Sequence, residues 1–371
     1  MKNRLGLSLL LGSLLSAGML YLAFRNVPMA GLLAYLGRIE YVWLIPAIGA
    51  LVLAFVLRVI RWRLIVHHTI RLQFWEAFHP LMIGFMMNCV LPGRIGELAR
   101  PAILKKRHGV AMSTGVATVA TERIFDAVLL IALLALVLPA IARQPELSVA
   151  FAGFHLDGHT LQTAIWAMVR LSAVLLIGVV LLAVPPTQRL LLRINDIGFA
   201  MIGRFIKPMN GIARRGAEMS NHIIIGFAAG LNMGGDWRRA LGCAFLTVLV
   251  WGASALILVV LAQGCPGIDL TWLELSTVMV IICFFIALPS VPGFWGLWEA
   301  GGVFALALFG VPEKDAAGFT LVSHAVQVFP LIAIGLISAL VTSINIMHLT
   351  GNNGAEISGF ENNGSTLREP S

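Results

Sequence analysis

Leu91-Pro92-Gly93-Arg94-Ile95-Gly96-Glu97 returns 200 residues later as Val291-Pro292-Gly293-Phe294-Trp295-Gly296-Leu297-Trp298-Glu299. Both copies interrupt apolar stretches that otherwise read as membrane helices. Each sets a Pro-Gly break, a second glycine and a carboxylate where hydrocarbon would continue. Proline removes a backbone donor and glycine tolerates unusual dihedrals, so a helix can stop and reverse there. The second copy carries a further proline, Pro289, three residues before Pro292. Broken helices at matching positions of two halves point to the binding site of a carrier.

Composition fixes the solvent. Hydrophobic residues make up 58% of the 371, charged residues 12%, and mean hydropathy is +0.89. A soluble chain of this length could not hide that much apolar surface, so the sequence is that of a polytopic membrane protein. The net charge of +8 is a topology signal and gives no reason to expect nucleic acid. Nineteen of the 26 Lys and Arg fall on one predicted side, as the positive-inside rule requires. The same residues can hold anionic headgroups of the inner leaflet. Lys2 and Arg4 precede an apolar run that continues through Phe24, about the 20 residues a span needs, so an uncleaved first helix is expected. The four cysteines have no metal-ligand spacing and read as packing residues.

The spacing predicts an all-α fold with spans near 5–24, 42–60, 114–138, 163–184, 238–263 and 317–347. Segments 77–104 and 272–310 carry the breaks and read as re-entrant hairpins. The order is span, span, hairpin, span, then the same order upside down, giving two inverted repeats over about 1–140 and 160–350. A competing count turns 272–289 and 293–310 into two full spans, for eight or more crossings. Residues 186–237 alternate basic and apolar character, as an interfacial helical segment does. Residues 1–350 form one transmembrane domain, and the polar tail 351–371 is expected to be disordered. Both termini are expected on the cytoplasmic side.

The ionisable residues inside apolar segments are the candidates for chemistry, because charge at that depth is costly without partners or a purpose. Arg94, Glu97 and Arg100 recur every third residue after the first break and suit a phosphate. A structural Arg–Glu network fits the same residues. Glu122 and Asp126 share one face of a later span, with Arg123 rotated away by about 100°. Their expected partners are Arg94 or Arg100 for the acids and Glu97 for Arg123, again with structural pairing as the alternative. Glu299 lies 25 residues before His324, as Glu97 lies 25 before Glu122, so a Glu299–His324 pair is expected. A histidine in a span offers proton coupling; a hydrogen-bonded core histidine is the plainer reading. Trp295 and Trp298 read equally as interfacial anchors or ligands. Arg58, Arg61, Trp62 and Arg63 read as snorkelling anchors at the end of a span. No Walker, HExxH or GxSxG motif occurs, so neither a catalytic site nor ATP-driven transport is expected.

Arg61-Trp62-Arg63-Leu64, Asn88 through Arg100, Glu122-Arg123-Ile124-Phe125-Asp126 and Leu288 through Glu299 together resemble the lysylphosphatidylglycerol synthase transmembrane, or flippase-like, family over about residues 5–347. That resemblance implies an inner-membrane fold and lipid translocation; with the paired breaks, the expectation is a bacterial cytoplasmic-membrane protein that moves an anionic phospholipid or polyprenyl-phosphate lipid by alternating access of its two repeats. The expected ligand is a lipid headgroup, no cofactor is expected, and the expected protein partner is a second copy or a lipid-modifying enzyme. The aminoacyl-transferase domain of bifunctional relatives is not expected here. The late motif reads Pro-Gly-Phe-Trp-Gly where many relatives have Pro-Gly-Gly-x-Gly, and His324 stands near an Arg common in relatives. The alternative expectation is a non-transporting subunit that assembles or regulates a lipid- or glycan-modifying enzyme.

Overall fold

The computed structural model describes residues 2–91, 94–142, 149–151, 154–156, 158–183, 185–205, 214–221, 224–225, 236–288 and 291–344. Pro92, Gly93, Pro289 and the tail 351–371 lie outside the described residues. The first half runs α1 (Lys2–Phe24), α2 (Met29–Leu36), α3 (Leu44–Val66), α4 (Phe74–Val90), α5 (Gly96–His108) and α6 (Met112–Ala142). A two-stranded antiparallel hairpin, β1 (Val149–Phe151) and β2 (Phe154–Leu156), leads to α7 (Gly158–Ala183) and α8 (Pro185–Phe205). The second half continues with α9 (Trp237–Gly264), α10 (Trp272–Ile286), α11 (Leu297–Ala307) and α12 (Glu313–Val341).

Among the described residues, four helices are long and apolar enough to cross a membrane, Tyr41–Val66, Gly158–Gly178, Trp237–Gly264 and Glu313–Val341. The expected first span, 5–24, lies within α1. Its helix ends at Phe24, turns through residues 25–28 and resumes as α2 at an angle of 79°. The pair counts as a fifth crossing if taken together. α6 is long but carries Glu122, Arg123 and Asp126 in its first half. The two arms of the second break have 15 and 11 residues, lengths of about 22 and 16 Å at 1.5 Å per residue. Each is shorter than a hydrocarbon core of about 30 Å.

Local chemistry sets where the broken segments begin. Gln73 N–H donates to Glu76 Oε2 at 2.7 Å at the start of α4, and Thr271 N–H donates to Glu274 Oε2 at 2.7 Å at the start of α10. Both are capping boxes that satisfy donors a helix start leaves free. The close approach of α4 to α5 depends on small residues. A Cβ on Gly84 would meet Gly96 O, and one on Gly96 would strike Gly84 O and Asn88. Packing recurs between halves: α3–α4, α4–α5, α5–α6 and α3–α6 are matched by α9–α10, α10–α11, α11–α12 and α9–α12. Across halves α3 packs on α9, α4 on α12 and α6 on α10.

The second break is held from outside by α1. Ser16 Oγ accepts the Val291 N–H at 3.1 Å, and Gly296 adopts a φ of +88° with its backbone against the Ser16 carbonyl. A side chain there would be strained in dihedral and would also overlap that carbonyl. Gly296→Ala is expected to destabilise the protein by about 1–3 kcal/mol, seen as a lower melting temperature in detergent. Gly18→Ala, where nothing lies within 4 Å, is the control and should be close to neutral. An equal loss at both positions would refute the close-approach explanation.

Candidate functional site

Two layers of charge meet where α3, α5, α6 and α9 converge. The inner layer is closed. Arg61 of α3 is fully buried and donates from Nη1 to Asp126 Oδ1 at 2.6 Å and Thr247 Oγ1 at 2.9 Å. Its Nη2 reaches Glu122 Oε1 at 2.9 Å and Asp126 Oδ2 at 3.2 Å. Arg100 Nη1 donates to Glu122 Oε2 at 2.7 Å, and Trp251 Nε1 donates to Asp126 Oδ1 at 3.0 Å. Two guanidinium groups and two carboxylates thus neutralise one another with their hydrogen bonds nearly filled, the condition for burying charge.

The outer layer faces a cavity of about 220 Å³ between the two breaks. Arg58 from α3, Arg94 from the first break, Glu97 from α5 and Arg123 from α6 line it. Apolar walls come from Phe55, Phe85, Leu258, Ile282, Ile286 and Leu331. Arg123 Nε stands 3.4 Å from Glu97 Oε1, and its Nη1 is 3.3 Å from Asp126 Oδ2. Arg58 lies over the rings of Phe85 and Trp251 at 5.6 and 5.5 Å, with a 3.5 Å contact to Ser254 Oγ. Arg94 donates to the Ile286 carbonyl at 2.6 Å and sits over Phe294 at 5.6 Å. Among the described residues no carboxylate stands within 4 Å of Arg58 or Arg94. Three guanidinium groups therefore face one carboxylate, leaving two positive charges in surplus on the cavity wall.

Several expectations on position change. Arg94, Glu97 and Arg100 do not share one helical face. α5 begins at Gly96, so Arg94 precedes it at a φ of +55°, and Arg100 turns away from the cavity into the inner layer. Arg58 and Arg61 are not snorkelling anchors: Arg61 is fully buried beneath α6 and α9, and Arg58 faces the cavity. Trp295 and Trp298 are not interfacial anchors either: both rings flank His324, at 4.4 and 4.8 Å between centroids. The Glu97–Arg123, Arg100–Glu122 and Glu299–His324 pairings are present. A run of three arginines in six residues at a span's end was the one signal that could have flagged Arg58 and Arg61.

At the second break, His324 Nδ1 is 2.6 Å from Glu299 Oε1, and Nε2 is 2.8 Å from the Gly293 carbonyl. Glu299 Oε2 accepts the Gly296 N–H at 2.6 Å. All of Glu299 and His324 is buried. The pair thus ties the last helix to both glycines of the break. Pro292 opens a short 3₁₀ turn there, in which Gly293 takes a φ of +73°.

Apolar crossing helices around a charged, partly apolar cavity define a multi-pass membrane protein with a buried polar site. Residues 9–335 match the family described as the lysylphosphatidylglycerol synthase TM region, and the chain belongs to that family. Among curated proteins, glycosyltransferase AglD of Haloferax volcanii is 26% identical over 278 residues, covering 70% of this chain and 42% of AglD. The chain thus matches less than half the length of that relative.

Proposed function

We propose that this protein carries lipid across the bacterial cytoplasmic membrane, seating an anionic headgroup in the cavity between the breaks. The observation that carries the reading is the surplus of two guanidinium charges on a wall otherwise largely apolar. Arginine holds its charge under all ordinary conditions and its planar fork suits phosphate. Arg58 and Arg94 take the phosphate, of a phospholipid or polyprenyl phosphate, while Glu97 holds Arg123 until the ligand competes for it. Arg100, Glu122 and Asp126 position these groups from behind, and the tails stay in the bilayer. Glu299 and His324 form the counterpart gate, with termini and basic loops on the cytoplasmic side.

Alternating access follows from two inverted repeats, each with a re-entrant hairpin, one rocking against the other. The duplicated packing order and the shared capping boxes at Gln73 and Thr271 support that reading. A second reading is favoured by one observation: the AglD relative is named a glycosyltransferase, and more than half of it lies outside the match. On that reading the chain is a subunit that assembles or regulates a lipid- or glycan-modifying enzyme.

Headgroup accessibility in proteoliposomes separates the two. Labelled phosphatidylglycerol and undecaprenyl phosphate are followed with a membrane-impermeant quencher. Wild-type protein is expected to move at least one of them, and Arg94→Ala and Glu97→Gln to slow it roughly tenfold or more, the scale of one charge-assisted hydrogen bond. Folded wild-type protein that moves neither lipid sinks the carrier reading and favours the subunit.

A further inference from the structure

We infer that the carrier is driven by protons and that the Glu299–His324 pair is its proton site, an inference that rests on the carrier reading above. The proton count follows from bond directions. The Gly293 carbonyl can only accept, so His324 Nε2, 2.8 Å away, carries a hydrogen. A 2.6 Å hydrogen bond between Nδ1 and Glu299 Oε1 needs a second proton between those atoms. The pair as built therefore holds one proton more than a neutral imidazole beside an ionised carboxylate. Whether that proton sits on Nδ1 or on Oε1, the pair is electrically neutral.

Loss of this proton to water breaks one of two bonds. With the remaining hydrogen on Nε2, the Nδ1 lone pair faces the carboxylate. With it on Nδ1, the Nε2 lone pair faces the Gly293 carbonyl. Either way a buried site acquires net negative charge and an opposed pair of acceptors, and the second break is released. That break belongs to the cavity. A Cβ on Gly293 would lie 3.3 Å from the Cys89 carbonyl at the end of α4, and Trp298 is part of the cavity wall. The Trp298 ring lies 7° from parallel to the imidazole, and its Nε1 is buried with no hydrogen-bond acceptor among the described residues. A headgroup oxygen in the cavity would complete that donor on the same ring that stacks on His324.

Among the described residues no second ion pair within 4 Å involves Glu299 or His324. Of the elements packed against α12, α2 turns Tyr35 to Gly318, α3 turns Arg58 to the shared cavity and α4 brings Cys89 to Gly293. α9 contributes uncharged Trp251 and Ser254, and Arg94, Glu97 and Arg123 stand on the cavity's walls. Among the described residues, Glu299 is the one carboxylate within 4 Å of His324.

The test uses the full chain in vesicles containing labelled phosphatidylglycerol or undecaprenyl phosphate. Membrane potential is clamped to zero and a pH difference of one unit is imposed. One proton per lipid sustains a leaflet ratio of up to about tenfold. Glu299→Gln keeps every bond, since its amide donates to Nδ1 while its oxygen accepts the Gly296 N–H. It should stay folded, remain latched and build no ratio; His324→Gln should also build none. Equal leaflets in the wild type whatever the gradient overturn proton drive and leave the carrier standing. If the wild type moves no lipid, the carrier reading fails, and hydrogen exchange over 291–299 judges the proton site. Protection, corrected for intrinsic rates, should fall as pH rises in the wild type and hold in Glu299→Gln; identical behaviour overturns the site.

Discussion

Arg61→Met is expected to cost about 3–5 kcal/mol of stability, read as a large drop in detergent melting temperature. The guanidinium makes four hydrogen bonds to Glu122, Asp126 and Thr247 from a position with no exposed surface. Removing it leaves two buried carboxylates with Arg100 and the more peripheral Arg123 for compensation. Arg61→Lys should lose less, since charge remains, but one ammonium cannot match the fork that grips Asp126 at both oxygens. Combining Arg61→Met with Asp126→Asn should recover part of the loss, because the second change removes the unpaired charge. A single Arg61→Met variant that melts with the wild type would show that the inner layer does not hold α3, α6 and α9 together.

Arg58→Gln is expected to act oppositely, leaving the fold intact and slowing lipid movement roughly tenfold to a hundredfold, the range of a hydrogen bond to a charged group. Arg58 is held in place by two aromatic faces and a long contact to Ser254, and no carboxylate within ion-pair distance depends on it. Its loss removes half of the surplus charge on the cavity wall without stranding a buried anion. Loss of the aromatic contacts should lower stability by only about 0.5–2 kcal/mol. Arg58→Lys keeps the charge and should retain part of the activity. Transport by Arg58→Gln at the wild-type rate would remove Arg58 from the binding site; a melting loss as large as that of Arg61→Met would place it in the scaffold.

Much of the site was legible because charge inside an apolar run has few explanations. Glu122 and Asp126 stand one turn apart, and the interval of 25 residues that sets Glu97 before Glu122 also sets Glu299 before His324. Those regularities anticipate the Glu97–Arg123 and Glu299–His324 contacts. Arg58 and Arg61 were not legible, because at the end of an apolar span they read like any interfacial arginine. Arg94 and Arg100 look equivalent in a repeat of three, yet α5 starts between them, so one faces the cavity and the other is sealed behind it. The bend between α1 and α2 also left no mark beyond Pro28 in a short polar stretch.

The sequence by itself determined the solvent, the helical class, the two breaks and which residues had to find partners, because each follows from the cost of bare backbone or charge in hydrocarbon. Only the tertiary structure decided how those charges are divided. α3 and α9 pack on each other and on α6 and so bring Arg61 beside Asp126, although the two are 65 residues apart. Packing then separates a balanced, buried quartet from a cavity wall with charge to spare. Electrostatic balance depends on distances between side chains from distant parts of the chain, and no local pattern encodes those distances.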